Sequence, residues 1–247
     1  MQGFQELSSD EYTRERIKPR PGDLEYLHLS DLVMGLKTLI PERSNLVLDF
    51  GCGGSPYRSL FGSCTYHRAD LAHTEDIDFE YGADSRLPSE LADYDGVLSS
   101  QVLEHVLSPS SYIAECYRVL KPGGSLVLST HGLFPDHARP HDYWRWTVFG
   151  LQRLVEQSGF KVDRMVKLTT GPRAAVCLAE RELHRLWFDK NAGLYSRMMH
   201  YGAGVMRRAG ARRRHEACDA SFAQYRVVDA DQRGHNMYVA IALLAHR

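Results

Sequence analysis

A glycine-rich segment of the chain has the residue types and spacing of a nucleotide-binding turn. The segment, Asp49-Phe-Gly-Cys-Gly-Gly-Ser-Pro56, follows a short apolar run and precedes a stretch with helical character. Its glycines let the backbone adopt positive φ and let a ligand approach closely. The amides of a following helix can bind an anionic group such as a carboxylate. The segment therefore predicts a ligand site at the end of a strand, in preference to a tight connection without a ligand.

Position 56 distinguishes between two classes of nucleotide. The dinucleotide fingerprint G-x-G-x-x-G, counted from Gly51, would place a glycine at position 56 beside a pyrophosphate. This chain has Pro56, which supplies no amide to a phosphate. Asp49 is also unfavourable beside a pyrophosphate, whereas it suits a ligand that carries an ammonium and a sulfonium group. The turn therefore favours a zwitterionic, phosphate-free nucleoside over a nicotinamide dinucleotide.

Two further carboxylates follow at the ends of later strands. Asp70 lies nineteen residues beyond Gly51, where a carboxylate can accept both ribose hydroxyl protons. Asp84 ends the next predicted strand, and it can accept a proton of the exocyclic adenine amine while Ser85 contributes backbone groups. Because the carboxyl ends of parallel strands meet at one edge of a sheet, Asp49, Asp70 and Asp84 together predict a nucleoside site.

A histidine-rich segment, residues 131–146, is predicted to face the second reactant. It leaves the carboxyl end of a predicted strand and holds three histidines together with prolines and aromatic rings. A neutral imidazole can accept a proton at neutral pH, so His137 and His141 are the predicted catalytic bases, with Asp142 orienting one of them. The side chains predicted to contact the substrate are His131, Tyr143, Trp144 and Arg145.

Other interpretations of this segment stay open. The three histidines and Asp142 could ligate zinc or non-haem iron, but the loop spacing gives little support, and no metal is predicted. Core packing is the simpler interpretation of Trp146. Glu104 and His105, at the start of a predicted helix, can also reach the site, although structural hydrogen bonding is the favoured role for that pair.

Alternating strand and helix patterns are expected to position these residues. Apolar runs bounded by glycine and proline predict strands at 46–50, 65–71, 77–81, 96–100, 125–130, 160–168 and 237–245. Helical patterns separate them, and Asp23 is the predicted N-cap of a helix that Pro41 ends. The pattern predicts an α/β fold with a Rossmann-like, doubly wound, mostly parallel seven-stranded sheet and helices on both faces.

The α/β domain is expected to carry two helical additions. Residues 1–40 are predicted to form an N-terminal helical arm, and residues 41–172 and 221–247 the nucleoside-binding domain. Residues 173–220 have apolar side chains at helical spacing and are predicted to form a helical insertion before the last strand, which acts as a lid or a dimer face. Plain core packing of this insertion is the alternative.

The composition argues against several functional classes. The 247 residues carry 30 basic and 31 acidic side chains, so no nucleic-acid partner is predicted. A basic run at 207–214 is expected to be a solvated loop. The five cysteines form no CxxC pair, and no apolar run approaches the roughly 18 residues of a membrane span. A cytoplasmic location is the resulting expectation.

Several segments resemble the motifs of one enzyme family. Val47-Leu-Asp-Phe-Gly-Cys-Gly53 resembles motif I of the class I S-adenosylmethionine-dependent methyltransferases. The segment from Tyr94 to His105 resembles their fourth strand and the helix after it. Arg118-Val-Leu-Lys-Pro-Gly-Gly-Ser-Leu-Val-Leu128 resembles their approach to the fifth strand, and Ser158-Gly-Phe160 a step before the sixth. The resemblance covers about residues 45–170, with the carboxyl strand as the seventh.

By this resemblance the cofactor is S-adenosylmethionine. Its methionine portion would lie against the glycine turn, its ribose against Asp70 and its adenine against Asp84, with Gln101 near the methionine end. Ser55 departs from the pattern, because many members have a further glycine there, which leaves the local shape of the turn open. The residues implied for cofactor binding are Asp49, Gly51, Cys52, Gly53, Asp70, Leu71, Asp84, Ser85 and Gln101.

The resemblance implies a methyltransferase that acts on a small-molecule acceptor. O-methylation of a sugar-like or other hydroxylated natural product is favoured, because methyltransferase-like proteins of bacterial polysaccharide clusters carry a similar Asp-Tyr-Trp-Arg step. The alternative is a non-catalytic S-adenosylmethionine-binding regulator or partner subunit. Pro56 disfavours a nicotinamide oxidoreductase, and RNA methylation lacks an obvious basic or stacking module. A homodimer is a further expectation.

Overall fold

The computed structural model describes residues 9–71, 76–138, 140–187 and 210–247. Its strands are β1 (Leu46–Phe50), β2 (Thr65–Leu71), β3 (Phe79–Tyr81), β4 (Tyr94–Ser100), β5 (Leu120–His131), β6 (Lys161–Thr170), β7 (Val227–Asp229) and β8 (Tyr238–His246). Its helices are α1 (Ser9–Ile17), α2 (Tyr26–Leu39), α3 (Pro109–Val119), α4 (Val148–Gln157) and α5 (Gly171–Trp187). Residues 210–221 are also helical.

The described strands form one sheet with the order β3-β2-β1-β4-β5-β8-β6-β7. Strands β1 to β5 pair in parallel, and β8 runs antiparallel between β5 and β6. The predicted Rossmann-like, mostly parallel sheet is confirmed, including its carboxyl strand. One short edge strand, β7, pairs antiparallel with β6 and brings the described strands to eight.

Both faces of the central strands are buried, which explains their nearly continuous apolar sequences. In β4, Val97 belongs to the core that α3 and α4 cover, whereas its neighbour Leu98 belongs to the core that α2 covers. Leu126 and Val127 of β5 alternate in the same way, because successive side chains of a strand point to opposite faces. Helices therefore cover both faces of the sheet, as predicted.

The turn between α1 and α2 differs from the prediction. The helix begins at Tyr26, three residues after the predicted N-cap. The Asp23 carboxylate accepts hydrogen bonds from the Arg20 amide (2.8 Å) and the Arg14 guanidinium (3.0 Å). Asp23 was therefore wrongly predicted as the cap of α2, because its oxygens are used to close the turn that joins the two helices.

The helix predicted after the glycine turn does not form as an α-helix. Only a short 3₁₀ helix, Arg58–Phe61, follows Pro56. Ser55 has a positive φ of 48° and Gly62 a φ of 61°, so the backbone leaves the helical conformation on both sides of this helix. The predicted helical stretch near 57–60 is thus present as this short 3₁₀ helix, and the binding of an anionic group by its amides stays a prediction.

A buried ion-pair network fastens the C-terminal helices to the sheet. Arg173 of α5 is fully buried and donates to both carboxylate oxygens of Asp31 on α2 (2.6 and 2.9 Å) and to Asp219 (2.7 Å). Arg226 also donates to Asp31 (2.7 Å), as does the Thr169 hydroxyl (2.9 Å). We call Asp31, Arg173, Asp219 and Arg226 the ion-pair network.

Part of the predicted helical insertion, residues 188–209, lies outside the described residues, and so does the start of the basic run. The helical residues 210–221 contact α5 through Arg214, which donates to Glu180 (2.9 Å), so this part of the run is helical and not a loop. The function of the insertion as a lid or dimer face stays a prediction. Among the described helices, none has the length and apolar character needed to cross a membrane.

Candidate active site

A cavity lies over the glycine turn, at the carboxyl ends of β1 and β4. We call it the turn cavity. In the order 3-2-1-4-5 the strand connections reverse between β1 and β4, and ligands of such sheets bind at that switch point. Five predicted cofactor-binding residues, Asp49, Gly51, Cys52, Gly53 and Gln101, meet there. The other lining residues are Tyr12, Arg16, Pro56, Tyr57 and Ser100.

The carboxylate of Asp49 is the acidic group of the turn cavity. It is only 4% exposed, and it accepts a hydrogen bond from the Tyr66 hydroxyl (2.8 Å). Burial raises the pKa of Asp49 to about 7, against the opposing effect of the Tyr66 hydrogen bond. A buried carboxyl with this pKa ionises readily when a cationic group binds beside it.

Gly51 allows the turn to pack closely on the following loop. Its φ is 77°, and its amide donates to the Ala69 carbonyl (2.8 Å). A Cβ atom at this position would lie 2.6 Å from both methyl groups of Val102. Glycine is therefore required twice, for its backbone conformation and for the missing side chain.

Asp70 and Arg68 of β2 hold the shape of the turn. Asp70 accepts a hydrogen bond from the Gly53 amide (2.6 Å). Arg68 Nε donates to the Ser55 hydroxyl (2.9 Å), and its Nη2 donates to the Gly53 carbonyl (3.3 Å). Arg68 thus stabilises Ser55 in a conformation that favours glycine. Sequence reasoning missed Arg68, although the parallel register of β1 and β2 pairs it with Asp49.

Four predicted cofactor-binding residues, Asp70 and three others, lie outside the lining of the turn cavity. Asp84 is exposed after β3, where it accepts a hydrogen bond from the Arg86 amide (3.3 Å). Ser85 is buried with a φ of 59°, and Leu71 is exposed at the end of β2. Since β1 pairs in parallel with β2, and β2 with β3, these residues lie at the same edge of the sheet as the turn. Their contacts with ribose and adenine stay a prediction.

Helix α1 covers the turn cavity and supplies its positive charge. Arg16 lines the cavity beside Tyr57, and its guanidinium lies 4.7 Å from the centre of the Tyr12 ring. The Tyr12 ring would be 3.6 Å from a Cβ placed on Gly54. Arg16 and Tyr12 were not predicted, because the amphipathic pattern of an arm does not reveal which loop it covers.

The turn cavity fits a zwitterionic nucleoside. Asp49 can pair with an ammonium group and Arg16 with a carboxylate, so both ends of an amino-acid moiety find partners. In addition, Gln101 Oε1 is buried and has no hydrogen-bond partner among the described residues. The His28 ring faces the Gln101 side chain, and a donor from a ligand or water can also satisfy this oxygen.

A cluster of ionisable side chains lies at the carboxyl end of β5, next to the turn cavity. We call Glu104, His105, His131 and His137 the histidine cluster. His131 Nε2 is 3.3 Å from Glu104 Oε1, and His105 Nε2 is 4.0 Å from the same oxygen. The ring centroids of His131 and His137 are 5.0 Å apart. The structure therefore brings His131 and His137, which were predicted site residues, together with Glu104 and His105, for which a structural role was favoured.

A second set of side chains encloses the histidine cluster. The Phe134 ring stacks on the His131 ring, with the two centroids 3.8 Å apart. The guanidinium of Arg181 in turn lies 4.1 Å from the centre of the Phe134 ring. His28 of α2, a residue missed by the sequence reasoning, lies 5.4 Å from His131 between ring centroids. Only the fold could reveal His28, because α2 and β5 are distant in sequence.

Burial controls the protonation of these groups. Burial, together with a smaller effect of the positive charge of Arg16, lowers the pKa of His28 to about 3. Burial likewise lowers the pKa of His131 and of His137, whereas it raises the pKa of Glu104. The imidazoles of His28, His131 and His137 are therefore neutral at physiological pH, the form that can accept a proton or bind a metal ion.

Three predicted residues lie at the rim and not inside the cluster. His141 is exposed, and its Nδ1 lies 3.0 Å from the Tyr143 hydroxyl, itself on a side chain that is 40% exposed. Trp144 is similarly exposed and donates from Nε1 to the Val106 carbonyl (2.8 Å). A catalytic role of His141 and substrate contacts of Tyr143 and Trp144 stay predictions, and the rim is where an incoming acceptor would meet them.

Arg145 holds the histidine-rich segment in shape. Its guanidinium binds both oxygens of Asp142 (2.7 Å each) and donates to the carbonyls of Phe134 (2.9 Å), Pro135 (3.0 Å) and Trp144 (2.8 Å). These contacts use all five guanidinium hydrogens. The predicted contact between Arg145 and the substrate is therefore replaced by a positioning role. Asp142 also accepts a hydrogen bond from the backbone N–H of His137 (2.9 Å).

The turn cavity and the histidine cluster adjoin at Gln101. This residue lines the turn cavity, and its side chain faces His28. The backbone N–H of Gln101 donates to the carbonyl of Ser129 (2.9 Å), which lies on β5 two residues before His131. Glu104 follows Gln101 in the same loop. A ligand in the turn cavity and a second molecule at the cluster would thus be separated only by these side chains.

Fold and site together are those expected of an α/β nucleoside-binding protein, and comparison with known proteins shows which family it is similar to. Residues 48–128 match a family of methyltransferase domains. A probable S-adenosylmethionine-dependent methyltransferase of Mycolicibacterium smegmatis is 30% identical over 139 residues, 47% of this chain and 52% of that protein. A ubiquinone biosynthesis O-methyltransferase of Maricaulis maris is 30% identical over 112 residues, 39% of this chain and 44% of that protein. The chain spans about half the length of these curated relatives.

Solved structures share the fold. A possible histamine N-methyltransferase from Thermotoga maritima aligns with a TM-score of 0.57 at 14% identity, over 96% of this chain and 95% of that one. Phosphoethanolamine N-methyltransferase 2 of Haemonchus contortus, in complex with S-adenosyl-L-methionine, aligns with a TM-score of 0.52 at 18% identity, over 97% and 56%. Residues 48–128 therefore match the S-adenosylmethionine-dependent methyltransferases that the sequence resembles, and S-adenosylmethionine is the cofactor that this match supports, as predicted.

Gly51→Ala is expected to lower the affinity for S-adenosylhomocysteine at least about tenfold, because the new methyl group meets Val102 and displaces the turn. Gly123→Ala is the matched control. Gly123 has the same φ of 77°, but a Cβ there meets nothing within 4 Å. Both variants should lose similar backbone stability. Titration calorimetry that shows equal affinities in the two variants would contradict the role given to Gly51.

Proposed function

We propose that this protein transfers the methyl group of S-adenosylmethionine to a hydroxyl oxygen of a small-molecule acceptor. The observation that carries the proposal is the junction of the turn cavity with the histidine cluster at Gln101. A cofactor cavity alone would serve a binding protein equally well. A buried group of proton-accepting side chains next to it is what a transfer reaction requires.

S-adenosylmethionine supplies an electrophilic methyl group on a sulfonium. The residues of the chain do the remaining work. Asp49 and Arg16 bind the two ends of the amino-acid moiety, and Gln101 lies between this moiety and the histidine cluster. The cluster receives the acceptor hydroxyl, excludes bulk water and takes up the hydroxyl proton as the new carbon–oxygen bond forms and the carbon–sulfur bond breaks. In-line positioning of the hydroxyl provides much of the rate.

An oxygen acceptor is supported by two independent considerations. The cluster offers neutral imidazoles and a carboxyl, which suit the removal of a hydroxyl proton. Ubiquinone biosynthesis O-methyltransferases are among the relatives with about one third sequence identity over the shared region. We propose a sugar-like or other hydroxylated natural product as the acceptor class.

The proposal is tested by incubating the purified protein with methyl-labelled S-adenosylmethionine and a panel of hydroxylated acceptors. The panel should contain glycosides, catechols and amines of similar size. We expect acceptor-dependent release of S-adenosylhomocysteine and a methoxy signal in the NMR spectrum of the product. Tight binding of S-adenosylhomocysteine without transfer to any of these compounds would favour the alternative, a non-catalytic binding subunit. Transfer to the amines alone would contradict the oxygen acceptor.

His137→Ala is expected to lower the turnover number about 100- to 10,000-fold while the affinity for S-adenosylhomocysteine changes less than about twofold. The reason is that His137 belongs to the histidine cluster and not to the turn cavity. His246→Ala on β8 is the control, since His246 pairs with Asp163 far from both regions and should leave turnover unchanged. A parallel loss of turnover and cofactor affinity in His137→Ala would contradict this division.

A further inference from the structure

We propose that Glu104, His131 and His137 form a binding site for a divalent transition-metal ion, which holds the hydroxyl of the acceptor. The role given to the ion rests on the proposed function, whereas the presence of the ion does not depend on it. One ligand atom from each of these residues lies within 4.8 Å of the other two. The sequence favoured no metal in this segment, because Glu104 is brought to the histidines only by the fold.

Three buried polar atoms of this cluster have no hydrogen-bond partner among the described residues. They are Glu104 Oε1, His131 Nδ1 and His137 Nδ1. Glu104 is fully buried, and only its other oxygen is engaged, by the Thr130 hydroxyl (2.8 Å). A buried carboxylate with a free oxygen costs several kcal/mol unless a cation or donor neutralises it. The free oxygen of Glu104 lies beside His131 Nε2, so His131 would use that nitrogen and leave its Nδ1 unpaired, and His137 Nδ1 has only Asp142 Oδ2 nearby, at 3.5 Å. The Glu104 oxygen in particular indicates a missing group that accepts electron pairs.

The distance between Glu104 and His131 suits two ligands of one ion. Their nearest atoms, Oε1 and Nε2, are 3.3 Å apart, yet they do not form a hydrogen bond of acceptable geometry. Two ligands at about 2.0–2.1 Å from a tetrahedral zinc ion lie about 3.3 Å from each other. Both atoms can therefore be directed at a common third atom and not at each other.

Two imidazoles and one carboxylate are the ligand set of zinc and of non-haem iron. Three protein ligands leave a coordination position open, and the cluster borders the turn cavity at Gln101. A hydroxyl bound in that position would be polarised and would lose its proton at lower pH. With the ion bound, His131 and His137 would serve as its ligands and not as proton acceptors, and the hydroxyl proton would pass to solvent as the acceptor binds.

The site is tested with protein that is purified without a polyhistidine tag and stripped with a chelator. Zinc is titrated in competition with a chromophoric chelator, and cobalt is titrated with detection of its visible absorption bands. We expect one equivalent of either metal to bind. Loss of a group that only orients a ligand costs about 10–100-fold in metal affinity, so Glu104→Gln, His131→Gln and His137→Gln should each lose at least about 100-fold.

His141→Gln is the matched control, because His141 is an exposed histidine of the same segment outside the cluster. Its metal affinity should equal that of the wild-type protein. S-adenosylhomocysteine binding verifies that each variant is folded, and the half-buried His137 gives a variant expected to fold in any case. Absence of binding by the wild-type protein, or equal binding by the cluster variants and the control, would overturn the proposal. The assay contains no acceptor, so failure of methyl transfer would not affect its outcome.

Discussion

Asp49→Asn is expected to lower the affinity for S-adenosylhomocysteine about 10–100-fold and, at the same time, to stabilise the ligand-free protein at pH 8. The loss of affinity follows because a hydrogen bond between two charged groups contributes about 1.5–3 kcal/mol. The gain in stability follows because the ionised carboxylate is buried, with only 4% of Asp49 exposed. One substitution should therefore change function and stability in opposite directions.

The pH dependence follows from the raised pKa of Asp49. Burial raises this pKa from 3.8 to about 7, so the group stabilises the fold below about pH 4, and this contribution is lost as the pH rises through 7. The full difference is about 4 kcal/mol. The amide of asparagine leaves an N–H group to be satisfied, and we therefore expect a net gain of about 2 kcal/mol at pH 8 and little below pH 4.

Cofactor binding should show the complementary pH profile. The ammonium group of the ligand pairs with ionised Asp49, so the observed affinity should fall about tenfold for each pH unit below 7. Calorimetry in two buffers with different ionisation enthalpies should detect the release of nearly one proton at pH 6. In Asp49→Asn the profile should be flat between pH 5 and 8.

Asp95→Asn is the control for these measurements. Asp95 lies at the opposite end of the sheet, where it accepts hydrogen bonds from the amides of Asn45 (2.9 Å) and Leu46 (2.8 Å). The hydrogen bond from Lys121 lowers the pKa of Asp95, against a small effect of burial. This variant should lose stability at pH 8 and bind the ligand normally. A stability change of the same sign in both variants would contradict the account of Asp49.

Arg173→Met is expected to cost about 3–5 kcal/mol in the free energy of unfolding. The substitution removes three hydrogen bonds to Asp31 and Asp219 and leaves the fully buried carboxylate of Asp31 with fewer partners. The penalty comes from this uncompensated charge more than from the lost contact. The double variant Asp31→Asn, Arg173→Met should therefore recover part of the loss. Urea unfolding followed by circular dichroism measures all three proteins.

Arg164→Met provides the comparison with an exposed ion pair. Arg164 Nε is 3.0 Å from Asp229, but about half of each side chain is exposed. Exposed pairs contribute about 0–1 kcal/mol, so this variant should resemble the wild-type protein. If Arg173→Met and Arg164→Met had the same effect, the ion-pair network would not fasten the C-terminal helices as described. Both variants replace an ion-paired arginine by methionine, and they differ in whether the ion pair is buried or exposed.

The fold could be predicted from the sequence because its signals are local and periodic. The strand 65–71 was predicted at the bounds it has in the structure, and the carboxyl strand at 237–245 is found at Tyr238–His246. Such runs are short, apolar and bounded by glycine or polar residues. Strand β7 was missed, because three residues give no periodicity, and it exists only through its pairing with β6.

The glycine turn was predicted in position but not in every detail. Its strand and its glycines are local features, and the turn cavity is found there. The helical stretch expected after it is present only as the short 3₁₀ helix Arg58–Phe61, since Ser55 and Gly62 depart from helical backbone angles. Arg16 of α1 adds a positive charge to the cavity that the sequence did not predict. That contact joins residues far apart in sequence, and no pattern within α1 announces it.

The second half of the site shows the same limit. His131 and His137 were predicted from their place after β5, and the structure assembles them with Glu104. His28 entered the site from α2, whose helical pattern gives only the direction of its apolar face. Arg145 could not be assigned from its residue type, because its five donors serve carbonyls and a carboxylate of its own segment.

The antiparallel strand β8 has a consequence for the order of folding. It lies between β5 and β6 and pairs with both over most of its length, so neither neighbour completes its ladder until residues 238–246 have arrived. During synthesis the parallel strands β1 to β5 can assemble early, while one edge of β5 remains open. Such an edge is a template for wrong pairing with another chain. Nascent chains that pause before residue 238 should therefore depend most strongly on chaperones.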